Sequence, residues 1–309
     1  MRTAFINQLI EEATHNERIF LIVGDLGFHV VEPFRDRFPD RFLNAGIAEQ
    51  NMTGVAAGLA REGYNVYIYS IANFPTLRCI EQIRNDVCYY GGNVKIVAVG
   101  AGYAYGSLGV SHHATEDVAV MRALPQMTVA SPSDPSEARA IATLSARFEG
   151  PMYIRLGKAG EKQVFPDDAT AIELGQPHCL KESASPNLLL TTGSVLSEAV
   201  SQIDTLGIDT AVYTLPFVKP LSAEALARLA TRHPNMVVLE EHQKSGGIGS
   251  AVIERLNDAL TEGTLAAWPR IRRLAIDDYY LSTAGKETYM RREAGLTLRT
   301  EYFEPTHKE

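Results

Sequence analysis

Cysteine is scarce in this chain. Only Cys79, Cys88 and Cys179 occur among 309 residues. Their spacing matches neither a zinc site nor a disulfide framework, and a reducing compartment, the cytoplasm, is the expected setting. Long hydrophobic runs are missing too. The longest apolar stretches have the length of a strand, which excludes a membrane-spanning helix. The first residues, MRTAFINQLIEEA, read as an amphipathic helix with no continuous apolar core, and therefore not as a signal peptide. Positive charge is in deficit, with 29 Lys and Arg against 37 Asp and Glu, a net charge of -8. Nucleic-acid binding relies on clustered cations, so no nucleic-acid partner is expected. The phosphate-cradling GxxxxGK[ST] pattern does not occur. Gly100-Ala101-Gly102 resembles the start of a dinucleotide fingerprint, but Tyr105 stands where the third glycine belongs. The Gly246 to Gly249 cluster fits either an anion site at a helix start or a tight turn.

What is present is an alternation. Apolar runs at 20–23, 65–71, 94–99, 127–130 and 152–156 are separated by helix-like stretches at 48–61, 77–90, 117–123 and 135–147. Ser133-Asp134-Pro135 is a cap followed by proline at the first turn. Short continuous apolar strands between helices imply a parallel sheet covered on both faces. The pattern fades, then restarts with strands at 188–192, 210–215, 236–239 and 273–276. The expected architecture is α/β, with two doubly wound domains at 1–165 and 186–309 joined by a linker at 166–185. A chain of this length can bury two cores.

The most unusual segment is Asn44-Ala45-Gly46-Ile47-Ala48-Glu49-Gln50-Asn51-Met52. Glu49 opens a helix otherwise made of small and apolar residues. A carboxylate at a buried helix end needs a partner, unless it only stabilises its own helix start. Both readings stay open on spacing alone.

The stretch 38–63, FPDRFLNAGIAEQNMTGVAAGLAREG, resembles the pyrimidine-binding domain of the transketolase family and of 1-deoxyxylulose-5-phosphate synthases. The likeness continues through Ser131-Pro132-Ser133-Asp134-Pro135, TTGSV at 191–195, KPLS at 219–222 and VVLEEHQKSGGIGSAV at 237–252. It implies thiamine diphosphate as cofactor, a pyrimidine-binding domain followed by a transketolase C-terminal domain, and transfer of a two-carbon ketol unit from a ketose to an aldose. Glu49 would then hydrogen-bond the aminopyrimidine ring, favouring the tautomer whose imino group accepts the thiazolium proton. The resemblance implies further cofactor contacts from Phe74, Arg78 and Ile47. His112, in Gly106-Ser107-Leu108-Gly109-Val110-Ser111-His112-His113, falls on the family's substrate-facing catalytic histidine. Substrate contacts are expected from His112, His113, Arg155 and Arg2. Leu108 and Gly100 depart from a family aspartate and histidine, so ordinary pentose phosphates are not implied.

The diphosphate of this cofactor is held in the family through a metal bound by a Gly-Asp-Gly…Asn motif. The one Gly-Asp pair here, Gly24-Asp25, continues with Leu26. The expectation is a partner chain, the N-terminal transketolase subunit, that carries this motif and the Mg2+ or Ca2+ ion, in an α2β2 heterotetramer. No metal site is expected in this chain. Two other readings stand beside this one. They are the β subunit of a 2-oxoacid dehydrogenase decarboxylase component, and a non-catalytic binding subunit on the same fold.

Overall fold

A computed structural model of the chain describes residues 1–166 and 172–304. In the first part, α1 (Arg2–His15) precedes β1 (Ile19–Val23), α2 (Glu32–Arg37), β2 (Phe42–Asn44) and α3 (Glu49–Arg61). Next come β3 (Asn65–Ile71), α4 (Ile80–Gln82) with a π-helical extension to Cys88, β4 (Val94–Val99), α5 (Asp117–Ala123), β5 (Thr128–Ala130), α6 (Pro135–Arg147) and β6 (Met152–Leu156). The second part holds β7 (His178–Lys181), β8 (Asn187–Thr191), α7 (Leu196–Leu206), β9 (Ala211–Thr214) and β10 (Phe217–Lys219). It ends with α8 (Ala223–Arg232), β11 (Asn235–Gln243), α9 (Ile248–Thr261), β12 (Arg270–Ile276) and α10 (Glu287–Glu293).

The strands form two sheets, in the orders β10-β5-β6-β4-β3-β1-β2 and β12-β11-β8-β9-β7. Every pairing is parallel except those of β10 with β5 and β7 with β9. The central strands are rich in Ile and Val and buried except for half-buried Ile71, as a parallel sheet with helices on both faces requires. A single apolar cluster runs from Ile68, Ile96 and Tyr153 in the first sheet to Leu188, Leu190 and Met236 in the second.

Three edge strands differ from the sequence reading: β2, which that reading omits, β7 and β10. The expected linker 166–185 contains β7, and its residues 167–171 lie outside the described residues. Residues of β7 alternate between half-buried and exposed, so it lacks the continuous apolar run that marks its inner neighbours. The three residues of β10 come from the second half of the sequence yet extend the first sheet.

In the first sheet β1 lies between β2 and β3, so the chain reverses its winding direction there. Open α/β sheets hold their ligands at such a switch, beyond the carboxyl ends of the strands.

Candidate active site

Glu49 sits at that switch, as the first residue of α3, and is 2% exposed. The turn before it is pinned by Asn44, whose side-chain oxygen accepts from Gly46 N–H at 3.0 Å and from Asp25 N–H at 3.1 Å. Gly46 takes a φ of 72°, a left-handed conformation that favours glycine. Below the carboxylate lie the ends of β1 and β3. A Cβ added to Gly24 would lie 3.6 Å from Glu49 Oε1. Ser70 Oγ is 3.5 Å from the same oxygen, at the limit of a hydrogen bond. The other oxygen, Oε2, accepts from Arg78 Nη1 at 3.0 Å. The pair is asymmetric, because the Arg78 side chain is 46% exposed.

Arg78 also stacks, its guanidinium carbon 4.3 Å from the centre of the Phe74 ring. Phe74 meets His112 edge to face at 5.4 Å, and His112 meets Tyr105 at 6.5 Å. Glu49, Arg78, Phe74, His112 and Tyr105 thus form one continuous wall. Ser111 Oγ lies 3.0 Å from His112 Nδ1. Ile47 stands beside Glu49 with 79% of its surface exposed, and Leu108 and Val110 are exposed as well.

The structure separates the remaining expected site residues. His113 turns inward against Tyr103, with ring centres 5.1 Å apart, and its Nε2 is 3.4 Å from Gly106 O. Burial pushes its pKa below the ordinary histidine value. Gly106 to Leu108 and Val110 to His112 form short 3₁₀ turns, and His113 follows the second of them in extended conformation.

Arg155 departs furthest from expectation. It is buried on β6, and its Nε donates to Asp117 Oδ2 at 2.8 Å. Its Nη2 donates to Ala114 O at 2.7 Å and to Glu241 O at 3.0 Å. A guanidinium so engaged, facing an aspartate with no exposure, is an internal tie and not a grip on an anionic substrate. Arg2 lies near Tyr69 and Tyr105, where it opposes the upward push of burial on both phenols. Lys158, which sequence reading passed over, lies 5.6 Å from the Tyr105 ring centre.

Both glycine clusters have internal explanations. The Tyr105 ring fills the space that a side chain at Gly100 would need. At 246–249 the anion is the protein's own: Glu240 accepts from Ile248 N–H at 2.6 Å and from Gly249 N–H at 2.9 Å. Burial pushes the Glu240 carboxyl up to about 7, against the pull of those two donors. Among the described residues no group of three or more His, Cys, Asp or Glu could hold a metal ion. No described helix is long and apolar enough to cross a membrane.

Two parallel-dominated α/β sheets with a buried glutamate at a winding switch define a class of two-domain α/β chains with a site beyond the strand ends. The model of the transketolase pyrimidine-binding domain matches residues 1–160, and that of the transketolase C-terminal domain matches residues 180–296. The chain belongs to the transketolase family. It is 32% identical over 260 residues to an apulose-4-phosphate transketolase subunit of Phocaeicola vulgatus, covering 83% of each chain. It is 32% identical over 303 residues to a 6-deoxy-6-sulfo-D-fructose transketolase subunit of Clostridium sp., covering 97% of this chain and 91% of that one. Among solved structures, a split gene transketolase in an inactive β4 tetramer matches with a TM-score of 0.83 and 35% identity. That match covers 96% of this chain and 93% of the other.

Proposed function

We propose that this chain is the pyrimidine-binding half of a two-chain, thiamine diphosphate-dependent transketolase that moves a two-carbon ketol unit from a ketose to an aldose. The observation that carries the reading is Glu49, a buried carboxylate at a helix start with one oxygen paired to a half-exposed arginine. Among the described residues its other oxygen has only a hydroxyl, at 3.5 Å. Such a carboxylate has capacity left for a ring nitrogen. Phe74 offers a flat apolar neighbour and exposed Ile47 an apolar lip, so the residues present suit an aminopyrimidine.

When bound, thiamine diphosphate supplies a nucleophilic thiazolium carbon tuned through its aminopyrimidine. Glu49 would hydrogen-bond the pyrimidine N1′ of that cofactor, with Phe74 and Ile47 as its apolar neighbours. Arg78 pairs with the carboxylate from the exposed side. His112, poised between Phe74 and Tyr105, is the proton-transfer group on the substrate side. Arg2 and Lys158, flanking Tyr105, supply positive charge for the anionic end of a sugar phosphate or sulfonate.

The relatives called transketolase subunits, and the neighbour called a split gene transketolase, support a site completed by a second chain. The partner carries the Gly-Asp-Gly…Asn motif with its Mg2+ or Ca2+, and the two chains assemble as an α2β2 heterotetramer in the cytoplasm. Within this chain the pyrimidine-binding domain spans 1–165, and β7 (His178–Lys181), inside the expected linker 166–185, belongs with the C-terminal domain through its pairing with β9.

The test mixes the purified chain with its partner, thiamine diphosphate and Mg2+, using hydroxypyruvate as donor and a panel of aldoses, ribose 5-phosphate among them, as acceptor. Ketose product forms with both chains and not with this one alone. Glu49→Gln lowers turnover by about 10²–10⁴, the usual worth of an acid–base group. A Glu49→Gln complex that works as well as the unaltered one would sink the reading. Turnover of pyruvate with a dye acceptor, and none of hydroxypyruvate, would make it an oxidative decarboxylase subunit instead.

A further inference from the structure

The segment that carries Tyr105 and His112 is a loop with both ends tied to one distant residue. Gly102 and Ala114 pair as an isolated antiparallel bridge, which closes the loop at its base. Glu241, a buried residue of β11 in the second sheet, accepts from Tyr103 N–H through Oε1 at 3.0 Å. Its backbone carbonyl accepts from Arg155 Nη2 at 3.0 Å, and the same nitrogen donates to Ala114 O at 2.7 Å. One end is therefore held by the side chain of Glu241, and the other through Arg155 by its main chain.

The clamp is itself supported. Glu241 Oε2 accepts from Arg291 Nη2 at 2.8 Å. Arg291 is buried and also donates to Ser194 Oγ at 2.8 Å, Glu287 Oε1 at 2.5 Å and Glu198 Oε2 at 3.2 Å. Gly102 has a φ of 57°, and any Cβ there would collide with the Glu241 carboxylate. Further along, Gly106 O accepts from Gly285 N at 3.2 Å, and a Cβ on Gly106 would come within 2.7 Å of Gly285 O. The loop closes against the second domain with no space to spare. Its tip, with Leu108 and Val110, stays exposed.

We propose that Glu241 is a positioning residue for the substrate side of the site, fixing the loop of Tyr105 and His112 through Tyr103 and, with Arg155, through Ala114. The C-terminal domain then sets where His112 stands without itself reaching the sugar. This rests on the reading of that loop as lining the sugar's path. A hydrogen bond to a charged group in a buried setting is worth about 10- to 100-fold in an opening equilibrium.

The test compares Glu241→Met with Glu241→Gln in the full chain. Gln keeps an acceptor for Tyr103 N–H and Met does not. In Glu241→Met, amide hydrogen exchange of residues 103–113 accelerates about 10- to 100-fold, while the amides of β8 and β11 keep their protection. In the complex with the partner chain, KM for ribose 5-phosphate rises more than kcat falls, and Gln restores both readouts. Should the Met variant not fold, Gly102→Ala pushes the carboxylate off Tyr103 with every charge in place, and the same pattern is expected. Unchanged loop exchange overturns the clamp, as does acceleration spread evenly over the second sheet. A loosened loop with an unmoved KM overturns its place on the sugar's path, leaving the Glu49 result untouched.

Discussion

Arg155→Met is the sharpest test of where the buried charge of this chain is used. The guanidinium makes three internal hydrogen bonds, to Asp117, Ala114 O and Glu241 O. Methionine fills much of the volume and supplies none of them. Asp117, fully buried, would keep the hydroxyl of Tyr153 at 2.5 Å but lose its positive partner. Breaking one side of a buried ion pair costs about 3–5 kcal/mol. The two orphaned carbonyls lie in the same spot, so their penalties overlap with that figure and are not added to it. At about 2–4 °C per kcal/mol for a domain of 150–250 residues, Tm falls by roughly 6–20 °C. Differential scanning calorimetry of the purified chain reads the shift. Arg155→Met combined with Asp117→Leu recovers part of it, because the uncompensated buried carboxylate is gone while the Tyr153 hydroxyl and the two carbonyls stay without these partners. A single variant with unchanged Tm and a raised KM for ribose 5-phosphate would refute this reasoning and return Arg155 to the substrate.

Arg78 stacks on Phe74 and donates to Glu49, the two groups assigned to the pyrimidine. The arginine side of the pair is half-exposed and screened by water, and Glu49 is buried, so removing it as Arg78→Met costs about 1 kcal/mol, the upper end for an exposed pair. If the guanidinium competes for the carboxylate, thiamine diphosphate binds the assembled complex up to about fivefold more tightly, read by calorimetric titration. Weaker binding would make Arg78 a cofactor contact. Lys95 gives a pH dependence: burial pushes its ammonium down to about 7, although Phe148 O and Gly150 O each accept from it at 2.8 Å. Between that value and the ordinary lysine pKa of about 10.4, the unfolded chain holds a proton that the folded chain lacks, so stability rises with pH across this window. Lys95→Met removes that rise. Tm curves of the two proteins that run parallel from pH 7 to pH 9.5 would contradict the assignment.

The strands that build the core were legible because each is a continuous buried run between clear stops. The reading of 65–71, 94–99 and 152–156 coincides with β3, β4 and β6. Of the edge strands, β12 was read at 273–276, but β2, β7 and β10 were not, since β7 alternates and β2 and β10 are three residues long. Glu49 was legible as a carboxylate in the wrong company, a charge at the head of a helix of small residues. Arg155 was not, because nothing along the chain shows that Asp117 and the carbonyl of Glu241 wait for it. The same blindness covers Arg291 and Glu241. Acidic residues in sequence read as solvated surface, and their burial becomes visible only when the partners are assembled.

The adjacent glutamates of β11 show what that assembly adds. Neighbouring residues of a strand face opposite sides. Glu240 turns to one side and caps α9, and Glu241 turns to the other and holds the loop of His112. Each carboxylate is matched by a glycine that leaves it room, Gly247 for Glu240 and Gly102 for Glu241. Glycines that looked in sequence like cradles for a ligand's phosphate thus accommodate the protein's own anions. A carboxylate already in place at a helix start satisfies the same backbone donors that would otherwise bind a phosphate. That leaves Glu49, with an arginine on one oxygen and a distant hydroxyl on the other, as the carboxylate at the winding switch with room for a ligand.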